Sequence, residues 1–278
     1  MQTSKRVILV AAAVVLVVIA VPVAAVAPHD SSPQPAPHTR RSSSSFAAKE
    51  HEDSGPPRAS GYFETLPPGA PLPTGAQCAA RIHLSTWEPR PQNDTANHTI
   101  VPQPVKLPDN PAFDAIWQEK YKPRINGDFV GTTDEIIQWA SCKWGISDNL
   151  TRARAVQESS WDQSKVSDFE PRANGHCAPG SSTAALCPTS FGLLQSKWYY
   201  RPGVYPDTKL STAFNVDSVL AETRGCLDGL AWFGPISKGN VWGCVGLWFS
   251  GAWEQNDAQY IASVRSFLAA EPWLTWKG

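Results

Sequence analysis

"ARAVQESSWDQ", residues 153–163, is the stretch on which the reading of this chain turns. Just upstream, Ser147 or Asp148 can cap a helix whose Leu150, Ala153 and Val156 share a buried side. At about 100° per residue, Glu158 falls roughly 80° from Leu150, at the margin of that apolar stripe and beside Trp161. A carboxylate in this place has two explanations. It is a surface acid pairing with Arg154 one turn earlier, a contact of ~0.3 kcal/mol, or it is a group kept for its chemistry.

The neighbouring segments carry the same period. Thr132 or Thr133 is placed to cap a helix in which Ile136, Ile137, Ala140 and Trp144 share a face, and Gly145 closes it. Val216, Leu220, Thr223, Leu227 and Leu230 predict a long helix over 212–231, and Ile261, Val264 and Leu268 another over 256–270. Between Phe169 and Pro188 the Gly, Pro, Ser and Cys content predicts loop. The stretch 236–253, rich in Gly and Trp, shows no deciding period. Residues 126–278 are therefore expected to form a mainly α globular domain of ordinary size.

The chain before residue 126 differs. Lys5 and Arg6 precede an apolar run from Val7 to Ala27 that ends in small residues, so 1–27 reads as a signal peptide, with an uncleaved membrane anchor through residues 7–27 as the alternative. Residues 28–60, made of Pro, Ser, His and charge, are expected to be a disordered tether. Of the 25 prolines, 17 lie between Pro28 and Pro123, which excludes long helices there. Yet 61–125 also holds Tyr62, Phe63, Leu66, Ile82, Trp87, Phe113, Ile116 and Trp117, and is expected to be a Pro-rich extended arm packed on the domain that follows.

All six cysteines, Cys78, Cys142, Cys177, Cys187, Cys226 and Cys244, lie beyond the apolar run, so an exported chain would oxidise them. Sequence does not fix the pairing among about 15 possibilities; the expectation is Cys177 with Cys187 and Cys226 with Cys244 as local loops, and Cys78 tying the arm to Cys142. No C-x-x-C pair exists and the six histidines have no ligand spacing, so no metal or other cofactor is expected. The net charge of −1 gives no basic field for nucleic acid. There is no G-x-S-x-G elbow, phosphate loop or H-E-x-x-H. The N-x-T triplets at Asn93, Asn97 and Asn149 matter only in a glycosylating host.

A second feature is "SFGLLQ", Ser190–Gln195, in which a glycine, two leucines and an amide lead out of a polar loop. An E-S dipeptide ending a helix, followed after about 30 residues by G-L-L-Q in a helical domain, resembles the soluble lytic transglycosylases and goose-type lysozymes. The resemblance covers approximately residues 130–270. It implies a lysozyme-like fold acting on peptidoglycan glycan strands, with Glu158 as acid/base catalyst followed by Ser159. It also implies a substrate-binding turn at Gly192, Leu193, Leu194 and Gln195, whose amide would contact the glycan, and places Asn215 at the family's asparagine. The family's third motif, Ala-Tyr-Asn before a glycine, is represented by Leu247-Trp248-Phe249-Ser250-Gly251. Trp248 would keep an aromatic wall, whereas Phe249 loses a polar contact.

Chemistry adds a requirement. An acid that protonates a leaving oxygen near neutral pH needs a raised pKa, usually from desolvation, and Trp161 beside Glu158 would supply it. Ordinary glycosidases pair two carboxylates ~5 Å or ~6.5–9.5 Å apart. Asp162, Asp168 and Glu170 are the available partners, and none is compellingly placed. Substrate assistance by the 2-acetamido group, with the C6 hydroxyl closing a 1,6-anhydro end, is then the economical route, and water in its place would make a lysozyme. A non-catalytic glycan-binding wall module is the rival that Phe249 favours. Trp198, Tyr199, Tyr200, Trp248 and Trp253 are further candidates for stacking on sugars. The expected protein is a monomer, secreted or held at the cell envelope.

Overall fold

Helix punctuation in the computed structural model follows the local chemistry closely; it describes residues 53–109, 115–201, 203–234, 237–251 and 257–278. Residues 1–27, the tether up to residue 52 and Trp253 lie outside these.

Two short helices come first, α1 (Gly75–Ala79) and α2 (Asp94–Asn97), with a π-helical turn over Trp117–Tyr121. The stretch read as an extended arm thus carries short helices, as its proline spacing permits. Next comes α3 (Thr133–Trp144), started by a reciprocal capping box: Glu135 N–H donates to Thr132 Oγ1 at 3.3 Å, and Thr132 N–H to Glu135 Oε2 at 2.8 Å. Gly145, at φ 59°, ends it. Ser147 caps α4 (Asp148–Ser159). A wing of two-residue strands follows, β1 (Val166–Ser167), β2 (Glu170–Pro171), β3 (Leu186–Cys187), β4 (Ser190–Phe191) and β5 (Ser196–Lys197). The strands β1, β4 and β5 form one antiparallel sheet in that order, and β2 pairs with β3.

After α5 (Asp207–Leu210) the long α6 (Thr212–Asp228) runs through the centre, buried along nearly its whole length. It stops before the expected residue 231 because Gly229 takes φ 80° and closes the last turn. The undecided stretch 236–253 contains α7 (Val241–Ser250), capped by Asn240 Oδ1, which accepts from Gly243 N–H at 2.8 Å. The last helix is α8 (Ala258–Ala270). Helices α3, α4, α5 and α7 pack around α6 or its neighbours, and α8 lies against α4 and α7. The protein is mainly α.

The division at residue 125 is not a domain boundary. The described residues, from 53 onward, belong to one compact unit, and Ile82, Trp87, Val101, Trp117 and Tyr121 belong to the same apolar core as α3, α4 and α6. Buried charges tie α3, α4 and α6 to their neighbours. Arg152, fully buried, pairs with Asp134 and Asp148 at 2.8 Å each. Asp217 on α6 accepts from Lys143 Nζ at 2.8 Å, Trp144 Nε1 at 2.6 Å and the N–H groups of Asn126 and Gly127. Removing one partner of such a set leaves an uncompensated buried charge, which costs about 3–5 kcal/mol. The end of the expected tether is also fastened, since Asp53 bonds His83 at 3.0 Å and Asn149 Nδ2 donates to Ala59 O at 2.6 Å.

All six cysteines pair as expected: Cys78–Cys142, Cys177–Cys187 and Cys226–Cys244. Three disulfides fit an oxidising compartment. Among the described residues no helix is long and apolar enough to cross a membrane.

Candidate active site

Glu158 occupies the last turn of α4, where the helix dipole presents its negative end and disfavours an anion. Burial is the main force on this carboxyl, raising it from 4.5 to about 7. The Tyr260 hydroxyl donates to Glu158 Oε1. Tyr260, the buried charge of Arg154 and the Trp248 side chain pull the carboxyl down, while the nearby Asp168 carboxylate pushes it up. Glu158 is nevertheless partly open to solvent. The result is a carboxyl at the edge of the core that holds its proton to about neutral pH.

Arg154 does not form the surface ion pair that its spacing allowed. It is completely buried and donates from Nη1 to Thr223 Oγ1 at 2.9 Å, close to the Trp248 ring at 5.5 Å. Arg201 lies over the same ring at 4.1 Å and is itself paired with Glu222 at 2.8 Å. Trp248 is thus beside the acid, with guanidinium groups occupying its ring.

The E-S dipeptide and the G-L-L-Q turn meet directly. Ser159 Oγ donates to Leu193 O at 2.8 Å. Around that contact the turn is built by amides. Asn215 Oδ1 accepts from Leu194 N–H at 2.8 Å, and its Nδ2 donates to Phe191 O at 3.0 Å and Thr208 O at 3.1 Å. Gln163 Oε1 accepts from Leu193 N–H at 2.8 Å. Gly192 is required here: its φ is 84°, and a Cβ would come within 2.3 Å of Asn215 Nδ2.

Several expected site residues have other duties. Trp161 is not beside a ligand space. It is fully buried at φ 66°, edge-on to Trp87 and Trp276 at 5.5 Å, and donates from Nε1 to Arg152 O at 3.2 Å. The reason is the sharp left-handed turn at Ser160 and Trp161, which directs the indole into the core. Leu193 and Leu194 are likewise core residues. Gln195 is buried with its amide turned inward, Nε2 donating to Gly192 O at 2.6 Å and Lys165 O at 3.0 Å while Oε1 accepts from Ser167 Oγ at 2.6 Å. Both of its donors are spent on the turn, so its part is to shape the site.

The arm holds the turn that follows the acid. Asn93 Nδ2 donates to Trp161 O at 2.7 Å, Asn93 Oδ1 accepts from Gln163 N–H at 2.9 Å, and Arg90 Nε donates to Ser160 O at 3.0 Å. Asn93, Asn97 and Asn149 are all buried, so none of the N-x-T triplets presents its side chain as a glycan acceptor.

Of the three other carboxylates, Asp162 serves a local turn, accepting from Ser164 N–H and Oγ. Glu170 is held near 2 by His176 and Tyr199, and also bonds Lys197 at 3.2 Å. Asp168 is the one whose charge is felt at Glu158; it accepts from Ser190 Oγ at 2.6 Å and lies 3.5 Å from Lys197 Nζ. Among the described residues no group of three His, Cys, Asp or Glu side chains is arranged to hold a metal ion. A concavity of about 780 Å³ lies between the arm and α3, lined by Phe63, Leu66, Leu72, Arg81 and Cys142 among others, and Glu158 has no part in it. Its size alone assigns no chemistry.

Tyr260 and Gln163 are absent from any reading of the sequence by motif. Tyr260 precedes Ile261 and lies four residues before Val264, so a phenol on the inner side of α8 was the available signal. No protein-family model, curated protein or solved structure matches the chain.

Proposed function

We propose that this protein is an exported lytic transglycosylase, a muramidase with a lysozyme-like helical fold that cuts the glycan strands of peptidoglycan. The observation that carries the proposal is Glu158: a carboxyl at the edge of the core, raised to about 7 by burial, contacted by Tyr260 and tied through Ser159 to the G-L-L-Q turn. Protonated, Glu158 delivers its proton to the leaving GlcNAc oxygen as the bond to C1 of MurNAc breaks. The 2-acetamido oxygen stabilises the cationic C1. Carboxylate Glu158 then takes the proton from the C6 hydroxyl as O6 bonds to C1, giving a 1,6-anhydro end and regenerating the acid.

A second reading is hydrolysis by the same acid. It is favoured by Asp168, a carboxylate close enough to act on Glu158 electrostatically, as the second carboxylate of a hydrolase would be. Digestion of intact sacculi with the full chain, followed by mass spectrometry, separates the two, since an anhydro end is one water lighter than a reducing end. Glu158→Gln is expected to abolish clearing of sacculi. Tight binding of sacculi by the unaltered chain with no product of either kind would remove the enzyme proposal and leave a glycan-binding wall module.

A further inference from the structure

We propose that Phe249 is the sugar-stacking residue of this site, taking the apolar face of the pyranose ring next to the bond that Glu158 protonates; this rests on the glycan-cleaving reading above. Phe249 lies near the end of α7 and is 57% exposed. Its ring is nearly parallel to that of Tyr260, with centroids 4.8 Å apart and planes 9° apart. Tyr260 in turn donates to Glu158. The order is therefore acid, phenol, phenyl, with the open side of the phenyl one ring away from the residue that touches the catalytic carboxyl.

Two other described aromatic residues near Glu158, Trp248 and Trp161, are not free in this way. The Trp248 ring is already occupied by the Arg154 and Arg201 guanidinium groups, and Trp161 is inside the core. A lone exposed phenyl needs no explanation, but this one continues an aromatic pair that ends on the acid. A phenyl group offers no hydrogen bond to hydroxyl or acetamido groups. What it offers is a flat apolar surface that matches the C–H face of a hexosamine. Recognition at this position then depends on ring shape and not on a polar contact.

The test is steady-state kinetics of the full chain on solubilised peptidoglycan. Phe249→Ala is expected to raise KM roughly 3- to 10-fold, leaving kcat and the alkaline limb of the pH profile in place. Phe249→Tyr restores KM, and Phe249→Leu does not, because it keeps apolar bulk without a flat face. A wild-type KM in Phe249→Ala overturns the proposal. So does a lower kcat with a displaced pH limb at constant KM, which would make Phe249 only a support for Tyr260. Failure of the enzyme reading is visible separately, as absence of products from the unaltered chain. In that case co-sedimentation with sacculi applies the same test, and undiminished binding by Phe249→Ala overturns the stacking role.

Discussion

Replacing Glu158 with glutamine should make the protein more stable at alkaline pH while leaving its stability near pH 4.5 almost unchanged. Burial raises this carboxyl from 4.5 to about 7 in the folded protein, so the folded state retains a proton that the unfolded chain has lost. Stability from this group is complete below the unfolded value and is lost as pH rises through the window from 4.5 to about 7. Carrying a carboxyl across that interval corresponds to ~3.4 kcal/mol at about 1.36 kcal/mol per pH unit. Solvent access at the edge of Glu158 reduces it to on the order of 2–3 kcal/mol. Glutamine imitates the protonated acid in shape, still accepts from Tyr260, and never ionises. The variant should therefore match the natural chain at pH 4.5 and exceed it by about 2–3 kcal/mol at pH 8, or about 4–12 °C in Tm for a unit of this size. Urea and thermal unfolding of both proteins at the two pH values measure the difference, and all other titrating groups cancel in the comparison. A difference independent of pH would mean that Glu158 is an ordinary solvated carboxylate, and the argument for a proton-bearing acid would fail.

Tyr260→Phe removes a donor that favours ionised Glu158, so the carboxyl should rise further and the alkaline limb of kcat/KM should move up by about one to two pH units; an unmoved limb refutes that contact. Trp161→Phe should cost ~1–3 kcal/mol through lost packing and the lost bond to Arg152 O, with KM unaffected. A raised KM there would return Trp161 to the binding surface. Replacing Cys78 and Cys142 by serine should cost ~4 kcal/mol in urea unfolding, against ~3 kcal/mol for the Cys177–Cys187 pair, because the closed loops differ in separation, 64 against 10 residues. Equal losses would show that loop closure is not what these bridges contribute.

The helices were legible because their determinants are local. Thr132 with Glu135, Ser147, Gly145 and Gly229 set helix ends through bonds and backbone angles within a few residues. Helix α7 was missed because its run VWGCVGLWFS is apolar on nearly every side and has no period to detect. The wing strands, two residues each, are too short to alternate.

Sequence by itself pointed to Glu158, the serine after it and the glycine turn, since these are residue types at short spacing, whereas six cysteines allow about 15 pairings and their partners were settled by the fold. Only tertiary packing decided what surrounds the acid. The contact between Tyr260 and Glu158 joins residues 102 positions apart, and it exists because α8 lies against α4. Packing likewise sent Trp161 into the core, turned the Gln195 amide inward and made Asn93 of the arm a clamp on the turn after Glu158. A helical pattern specifies that a side is buried, but not which distant residue covers it, and the environment that raises a carboxyl to about 7 is made of those distant residues.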